Sequence, residues 1–286
     1  MKTFLFEPIL NIPEQKIGKW EIKHKLIKAG EEITIVSVRD AIFSGKKSQK
    51  AIVDNPIIVH QLYGDGGLWM SDSPQENEGQ RDIVEKCKGN VLIGGLGLGY
   101  IASMLDRKKN VKSITVVELE KDVISLVWKH LNLKKSEIIH MDLFDYLKST
   151  KKKFNWVYYD IWTPTGEDIL YTHIRPLKTL SKGKVPFKHI LCWSEATMLG
   201  QMMLNLHTTI QIGYDKQLGI VRLSEKEFQD YYHLSRTTWA YYNWFRQMKP
   251  DNDFAVIMAK HYVSTYTDYD EWIKIWGKWD KKEVKL

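Results

Sequence analysis

The stretch Val91–Glu118, VLIGGLGLGYIASMLDRKKNVKSITVVE, decides how this chain folds. An apolar run, Val91 to Ile93, enters a turn carrying Gly94, Gly95, Gly97 and Gly99. Tyr100 to Asp106 is compatible with a helix, and a second apolar run, Ile114 to Val117, stops on Glu118. The order is strand, glycine turn, helix, strand, with an acid at the far end. Glycine in such a turn permits positive φ and lets the backbone approach a ligand closely. Glu118 stands 19 residues beyond Gly99, near the spacing of about 20 at which a carboxylate meets ribose hydroxyls. The unit predicts a nucleoside-bearing cofactor.

Outward from this stretch the pattern keeps alternating. Helix is expected from Glu120 to about Leu131, strand at Ile138 to His140, helix at Leu143 to Lys148 and strand at Trp156 to Tyr159. A helix within Glu167 to Leu180, a strand at Lys188 to Trp193 and a helix from Glu195 to Leu206 follow. Such alternation implies a parallel sheet covered on both faces. Toward the N-terminus, Ile57 to Tyr63, the turn Gly64-Asp65-Gly66-Gly67 and Leu68 to Met70 read as a hairpin, and residues 1–72 as a β-rich domain. Ser73-Pro74-Gln75-Glu76 is a capping box with proline at the first helical position, predicting a helix to about Lys88. Thr208 to Gly213 and Leu218 to Leu223 read as a closing antiparallel hairpin. Past Leu223 a second capping box, Ser224 to Glu227, opens an aromatic-rich helix. The expected organisation is a β-rich domain at 1–72, a nucleotide-binding domain at 73–223 and a helical extension at 224–286.

The register Gly95-x-Gly97-x-Gly99 differs from the Gly-x-Gly-x-x-Gly of a nicotinamide site. With Glu118 ending the second strand and Asp142 following the third, it resembles class I S-adenosylmethionine-dependent methyltransferases. The resemblance covers roughly Asn90 to Leu223 and implies an α/β fold with a Rossmann-like sheet, parallel except for the closing hairpin. It further implies that Gly95, Gly97 and Gly99 line the methionine and ribose part of S-adenosylmethionine. Glu118 would bind the ribose hydroxyls and Asp142 the adenine amino group.

In an open parallel sheet the ligand lies across the carboxyl ends of the strands. Asp160 ends the fourth strand, where a carboxylate can hold an incoming amine or accept its proton. It is the expected catalytic residue. The front β-domain, the strand ending Val-Val-Glu118 and the segment Asp160-Ile-Trp-Thr163-Pro164 resemble the spermidine synthase branch, which transfers an aminopropyl group from decarboxylated S-adenosylmethionine to a polyamine. That branch reads D-x-x-D-P where this chain has Thr163 for the second acid, and its glycine motif carries an aspartate where this chain has Leu96-Gly97-Leu98. Both departures favour methyl transfer from ordinary S-adenosylmethionine on a spermidine synthase-like scaffold, with aminopropyl transfer as the alternative. Asp72, just before the first helix, is a candidate to touch substrate or a simple turn residue. Trp162, past the end of the fourth strand, is a candidate wall for a ring or a cation.

Composition narrows the rest. With 286 residues the chain can bury a substantial core. Cys87 and Cys192 are the only cysteines and lack ligand spacing, which argues against disulfides and against zinc. No metal is expected. The net charge of +7 suits a polyanion, yet the 42 Lys and Arg are spread along the chain, so nucleic-acid binding is weakly supported. Trp239, Tyr241, Tyr242, Trp244 and Phe245, interleaved with Arg236 and Arg246, recur at helical spacing and pack a helix more readily than they stack bases. A noncatalytic module that binds nucleic acid or protein is the remaining alternative. No stretch has the apolar length of a membrane span, and a cytoplasmic location is expected. The acceptor, small or macromolecular, is not legible, and a homo-oligomer stays open.

Overall fold

A computed structural model describes residues 3–4, 9–36, 47–163, 169–195 and 198. The hairpin expected at 208–223 and the aromatic helix expected beyond it fall outside the described residues, as does the helix expected from Glu195 to Leu206 apart from residues 195 and 198. Residues 1–163 and 177–193 form one compact unit.

At its centre lies a five-stranded sheet. Strands β8 (Gly89–Gly94), β9 (Val111–Glu118), β10 (Ser136–His140), β11 (Trp156–Tyr159) and β12 (Ile190–Cys192) run in the order β10-β9-β8-β11-β12, all parallel. Val91, Leu92, Ile93, Val116 and Val117 are buried, as strands covered on both faces require. Helices α1 (Pro74–Lys86), α2 (Tyr100–Asp106), α3 (Lys121–Val127) and α4 (Leu143–Ser149) lie between strands, and α5 (Arg175–Ser181) precedes β12. The helix expected to reach Leu131 becomes a short 3-10 turn at Trp128–His130. There the chain turns to set Leu131 against Gly99, where a β-carbon would overlap it. Among the described residues no helix is long and apolar enough to cross a membrane.

The front strands build two sheets. β2 (Gln15–Ile17), β3 (Trp20–Ile27), β6 (Ile57–Gly64) and β7 (Gly67–Ser71) are antiparallel in that order, while β1 (Thr3–Phe4), β5 (Gln49–Val53) and β4 (Glu32–Val36) form the second. The four-stranded sheet shares its core with the parallel one, since Leu10, Ile12, Trp20, Ile22 and Leu62 join Val91, Ile93, Leu98, Ile101, Val116 and Tyr158 in one buried cluster. Polar bolts fix the register: Gln15 Nε2 donates to the Leu126 carbonyl at 2.8 Å and Trp20 Nε1 to Glu120 Oε2 at 3.1 Å.

The capping box at α1 closes only by half. Ser73 Oγ accepts the Glu76 N–H at 3.3 Å as the motif requires. The Glu76 carboxylate turns instead to Ser71, taking its N–H at 2.8 Å and its hydroxyl at 2.6 Å. Two donors converge on one oxygen there, while the Ser73 N–H has its own acceptor in Ser71 Oγ at 3.3 Å. At the other end of α1, Lys108 Nζ donates to the carbonyls of Val84, Glu85 and Cys87, the free acceptors of a helix C-terminus.

Asp106, at the end of α2, gathers the N–H groups of Lys134 (3.1 Å) and Lys135 (2.7 Å) and the Ser136 hydroxyl (3.2 Å) at the start of β10. Replacing it by alanine strands donors that a charged acceptor had satisfied. Asp106→Ala is expected to lower stability by about 2–3 kcal/mol. A urea midpoint that moves down with an unchanged slope is the readout, and an unmoved midpoint contradicts it.

Candidate active site

The strand order reverses between β8 and β11, because β9 and β10 extend the sheet one way and β11 and β12 the other. That reversal opens a crevice at the carboxyl ends. Gly94 and Tyr159 are register partners there, and the Asp160 N–H donates to the Gly94 carbonyl at 2.9 Å. Gly95 has φ of 93°, and a β-carbon on it would overlap the Asp160 carbonyl oxygen. Only glycine lets the turn and the Asp160 backbone meet.

Glu118 pins the same turn from the next strand. Its Oε2 accepts the Leu96 N–H at 2.7 Å and its Oε1 the Glu120 N–H at 2.8 Å. The side chain is nearly enclosed, and desolvation raises its pKa above the ordinary carboxylate value despite those hydrogen bonds. Gly97, at φ of 50°, faces Met70 of β7. The Gly99 N–H closes the turn on the Leu96 carbonyl at 2.8 Å.

Asp142 caps α4, accepting the Asp145 N–H at 3.1 Å, and stands half-buried at the end of β10, two strands from β8. Sheet spacing puts that separation at roughly 10 Å, with Glu118 about halfway. Beside each acid lies an apolar side chain that sequence reasoning missed: Leu119 is 57% exposed and Met141 40%. The available signal was an apolar residue adjoining an acid at a strand end.

Asp160 is the strongly perturbed carboxyl at the crevice. Its residue surface is only partly covered, yet the carboxyl itself is hemmed in, and desolvation pushes its pKa up to about 7, the Glu76 carboxylate adding to the rise. The Tyr158 hydroxyl donates to Asp160 Oδ2 at 3.0 Å and pulls the other way. Burial likewise raises the Glu76 carboxyl. The fold thus sets Gly95, Asp160, Tyr158 and Glu76 around the switch point.

Asp72 lies elsewhere in the polar network. It is 2% exposed, and its oxygens accept the His60 N–H at 2.6 Å and His60 Nδ1–H at 2.7 Å. Its carbonyl receives Asn77 Nδ2 at 2.9 Å. These bonds join β6, the end of β7 and α1. Trp162 is buried, 4% exposed, just past Asp160.

No protein-family model matches the chain. It is 24% identical over 233 residues to the polyamine aminopropyltransferase of Oceanobacillus iheyensis, an alignment covering 63% of this chain and 45% of that protein. The match therefore spans under half the length of that curated relative. Among solved structures it is similar to spermidine synthase from Thermotoga maritima, at 16% identity, 45% coverage of each chain and a TM-score of 0.34. It is also similar to a protein from Streptococcus mutans described as an S-adenosylmethionine-dependent methyltransferase, at 16% identity, with 47% of this chain and 38% of that one covered and a TM-score of 0.35. The parallel order β10-β9-β8-β11-β12, with a glycine turn after its central strand and an acid ending the next, gives this chain a Rossmann-like parallel sheet.

Proposed function

We propose that this chain is an S-adenosylmethionine-dependent methyltransferase whose acceptor presents an amine at Asp160. The observation that carries this reading is Asp160 itself, at the switch point, with a carboxyl poised near neutrality. The residues present fit the cofactor: a turn that glycine alone permits, an enclosed acid at Glu118, and exposed Leu119 and Met141 able to cover a flat base. When bound, the cofactor supplies an electrophilic sulfonium. Glu118 would hold the ribose hydroxyls and Asp142 the adenine amino group. Ionised Asp160 would accept the proton that an ammonium must lose before its nitrogen can attack, with the Tyr158 hydroxyl steadying its Oδ2. Holding the nucleophile in line is most of what such a displacement asks of a protein.

One observation favours aminopropyl transfer as a second reading. The Glu76 carboxylate acts electrostatically on Asp160, offering a second negative charge where Thr163 replaces the second acid of the spermidine synthase motif. The curated relative is itself a polyamine aminopropyltransferase.

Calorimetry separates the two. Under the methyl-transfer reading, S-adenosylmethionine and S-adenosylhomocysteine bind more tightly than decarboxylated S-adenosylmethionine. Glu118→Ala weakens all of them about tenfold or more, equal to roughly 1.4 kcal/mol, with folding checked by thermal melting. Preference for the decarboxylated form would establish aminopropyl transfer instead, and no binding of any of the three would remove both.

A further inference from the structure

Met70, at the end of β7, belongs to the front sheet, yet its thioether reaches the glycine turn. A β-carbon at Gly97 would overlap Met70 Sδ, and the same sulfur accepts the Leu98 N–H at 3.2 Å. The neighbouring donors are better served. The Gly95 N–H goes to the Val117 carbonyl at 2.9 Å, the Leu96 N–H to the Glu118 carboxylate at 2.7 Å and the Gly99 N–H to the Leu96 carbonyl at 2.8 Å. A thioether is a weak acceptor, and methionine is unbranched with three rotatable bonds. Of these four paired donors, that of Leu98 is the one a ligand can claim at least cost, since its partner is both weak and free to swing. Met70 is half-buried, so its side chain has somewhere to go.

We propose that Met70 is a placeholder for the cofactor's amino-acid carboxylate: on binding, that carboxylate takes the Leu98 N–H from Met70 Sδ, and the site thereby selects the carboxylated cofactor over its decarboxylated form. Exchanging sulfur for an anionic oxygen converts a poor hydrogen bond into a charge-assisted one, about twice as strong as a neutral bond. Gly97 keeps the approach clear. An aspartate in its place would repel the carboxylate. The inference rests on the reading that the cofactor lies along the glycine turn, and it deepens that reading by naming the residue that chooses between the two cofactors.

The test compares S-adenosylhomocysteine, which has the carboxylate, with 5′-methylthioadenosine, which lacks the whole amino-acid tail. Both are titrated into the full chain, wild type, Met70→Leu and Met70→Ala. Removing the sulfur takes away the competitor for Leu98, so S-adenosylhomocysteine is expected to bind about 3- to 10-fold tighter. The affinity for 5′-methylthioadenosine should change by less than about 2-fold, because the tail alone meets Leu98. In wild-type protein carrying 13C-methyl methionine, the resonance assigned to Met70 should move with S-adenosylhomocysteine and stay with 5′-methylthioadenosine, a readout that needs no variant to fold. Equal changes for both ligands, weaker binding of S-adenosylhomocysteine to the variants, or an unmoved Met70 methyl would each overturn the placeholder while leaving cofactor binding intact. Failure of the wild type to bind either ligand would instead overturn the cofactor reading, and the placeholder with it.

Discussion

Asp160→Asn is expected to lower kcat/KM for methyl transfer about 10²- to 10⁴-fold, the range general-base catalysis contributes. Asparagine keeps the shape and can still accept the Tyr158 hydroxyl, so cofactor affinity should hold while turnover falls. The pH profile carries a second signature. Wild-type kcat/KM should rise as Asp160 ionises and level off above about pH 7, a limb absent from the variant. Stability moves the opposite way. The folded carboxyl keeps its proton up to about 7, whereas the unfolded chain releases it near 3.8. Between those values the native state binds more protons, so stability falls as pH rises, and the penalty is complete above 7 and absent below 3.8. The variant escapes that penalty. Its melting temperature should exceed the wild type's at pH 8 and meet it near pH 4, as about 3.8 is the unfolded reference. A variant less stable at pH 8, or one with undiminished turnover, would sink the assignment.

Gly95→Ala is the second large effect. The added methyl would meet the Asp160 carbonyl oxygen, which belongs to the main chain and cannot rotate aside, at a φ of 93° that alanine rarely adopts. Backbone strain of about 1–3 kcal/mol and overpacking of similar size combine to an expected loss of roughly 2–6 kcal/mol, with S-adenosylhomocysteine binding weakened at least tenfold, about 1.4 kcal/mol. Gly97→Ala gives the contrast. Its new methyl would meet only the flexible Met70 side chain, at a φ of 50° inside the left-handed well. It should melt between wild type and Gly95→Ala. If the two substitutions cost the same, the contact between turn and Asp160 backbone is not what demands glycine at 95.

Much of the parallel sheet was legible because its signals are local. Apolar runs at 91–93, 114–117 and 156–159 became β8, β9 and β11, with Glu118 closing β9 and Asp160 following β11. What escaped reading depends on partners distant in sequence. Met70 meets Gly97 and Leu98 only because β7 ends against the turn, and no spacing rule announces that. Glu76 matched a local motif, but two donors at Ser71 outbid the single one at Ser73. Asp72 read as a substrate contact or a simple turn or cap residue, and pairing of β6 with β7 carries His60 onto it. Alternation in the front strands reports which face is buried, not what buries it. For the four-stranded front sheet the cover is the same cluster that holds β8 and β9.

The central position of β8 has a consequence for how the chain is made. Val91 pairs with Ile114 on one side and with Trp156 on the other, so the two halves of its ladder are synthesised far apart in time. From the emergence of Glu118 until that of Tyr159, a growing chain can join β8 to β9 and β10 but must leave the other edge of β8 bare, with Val91, Leu92 and Ile93 beside it. Bare edges of apolar strands are where nascent chains pair with each other. While that interval lasts, the open edge of β8 is a template on which another chain could add a strand.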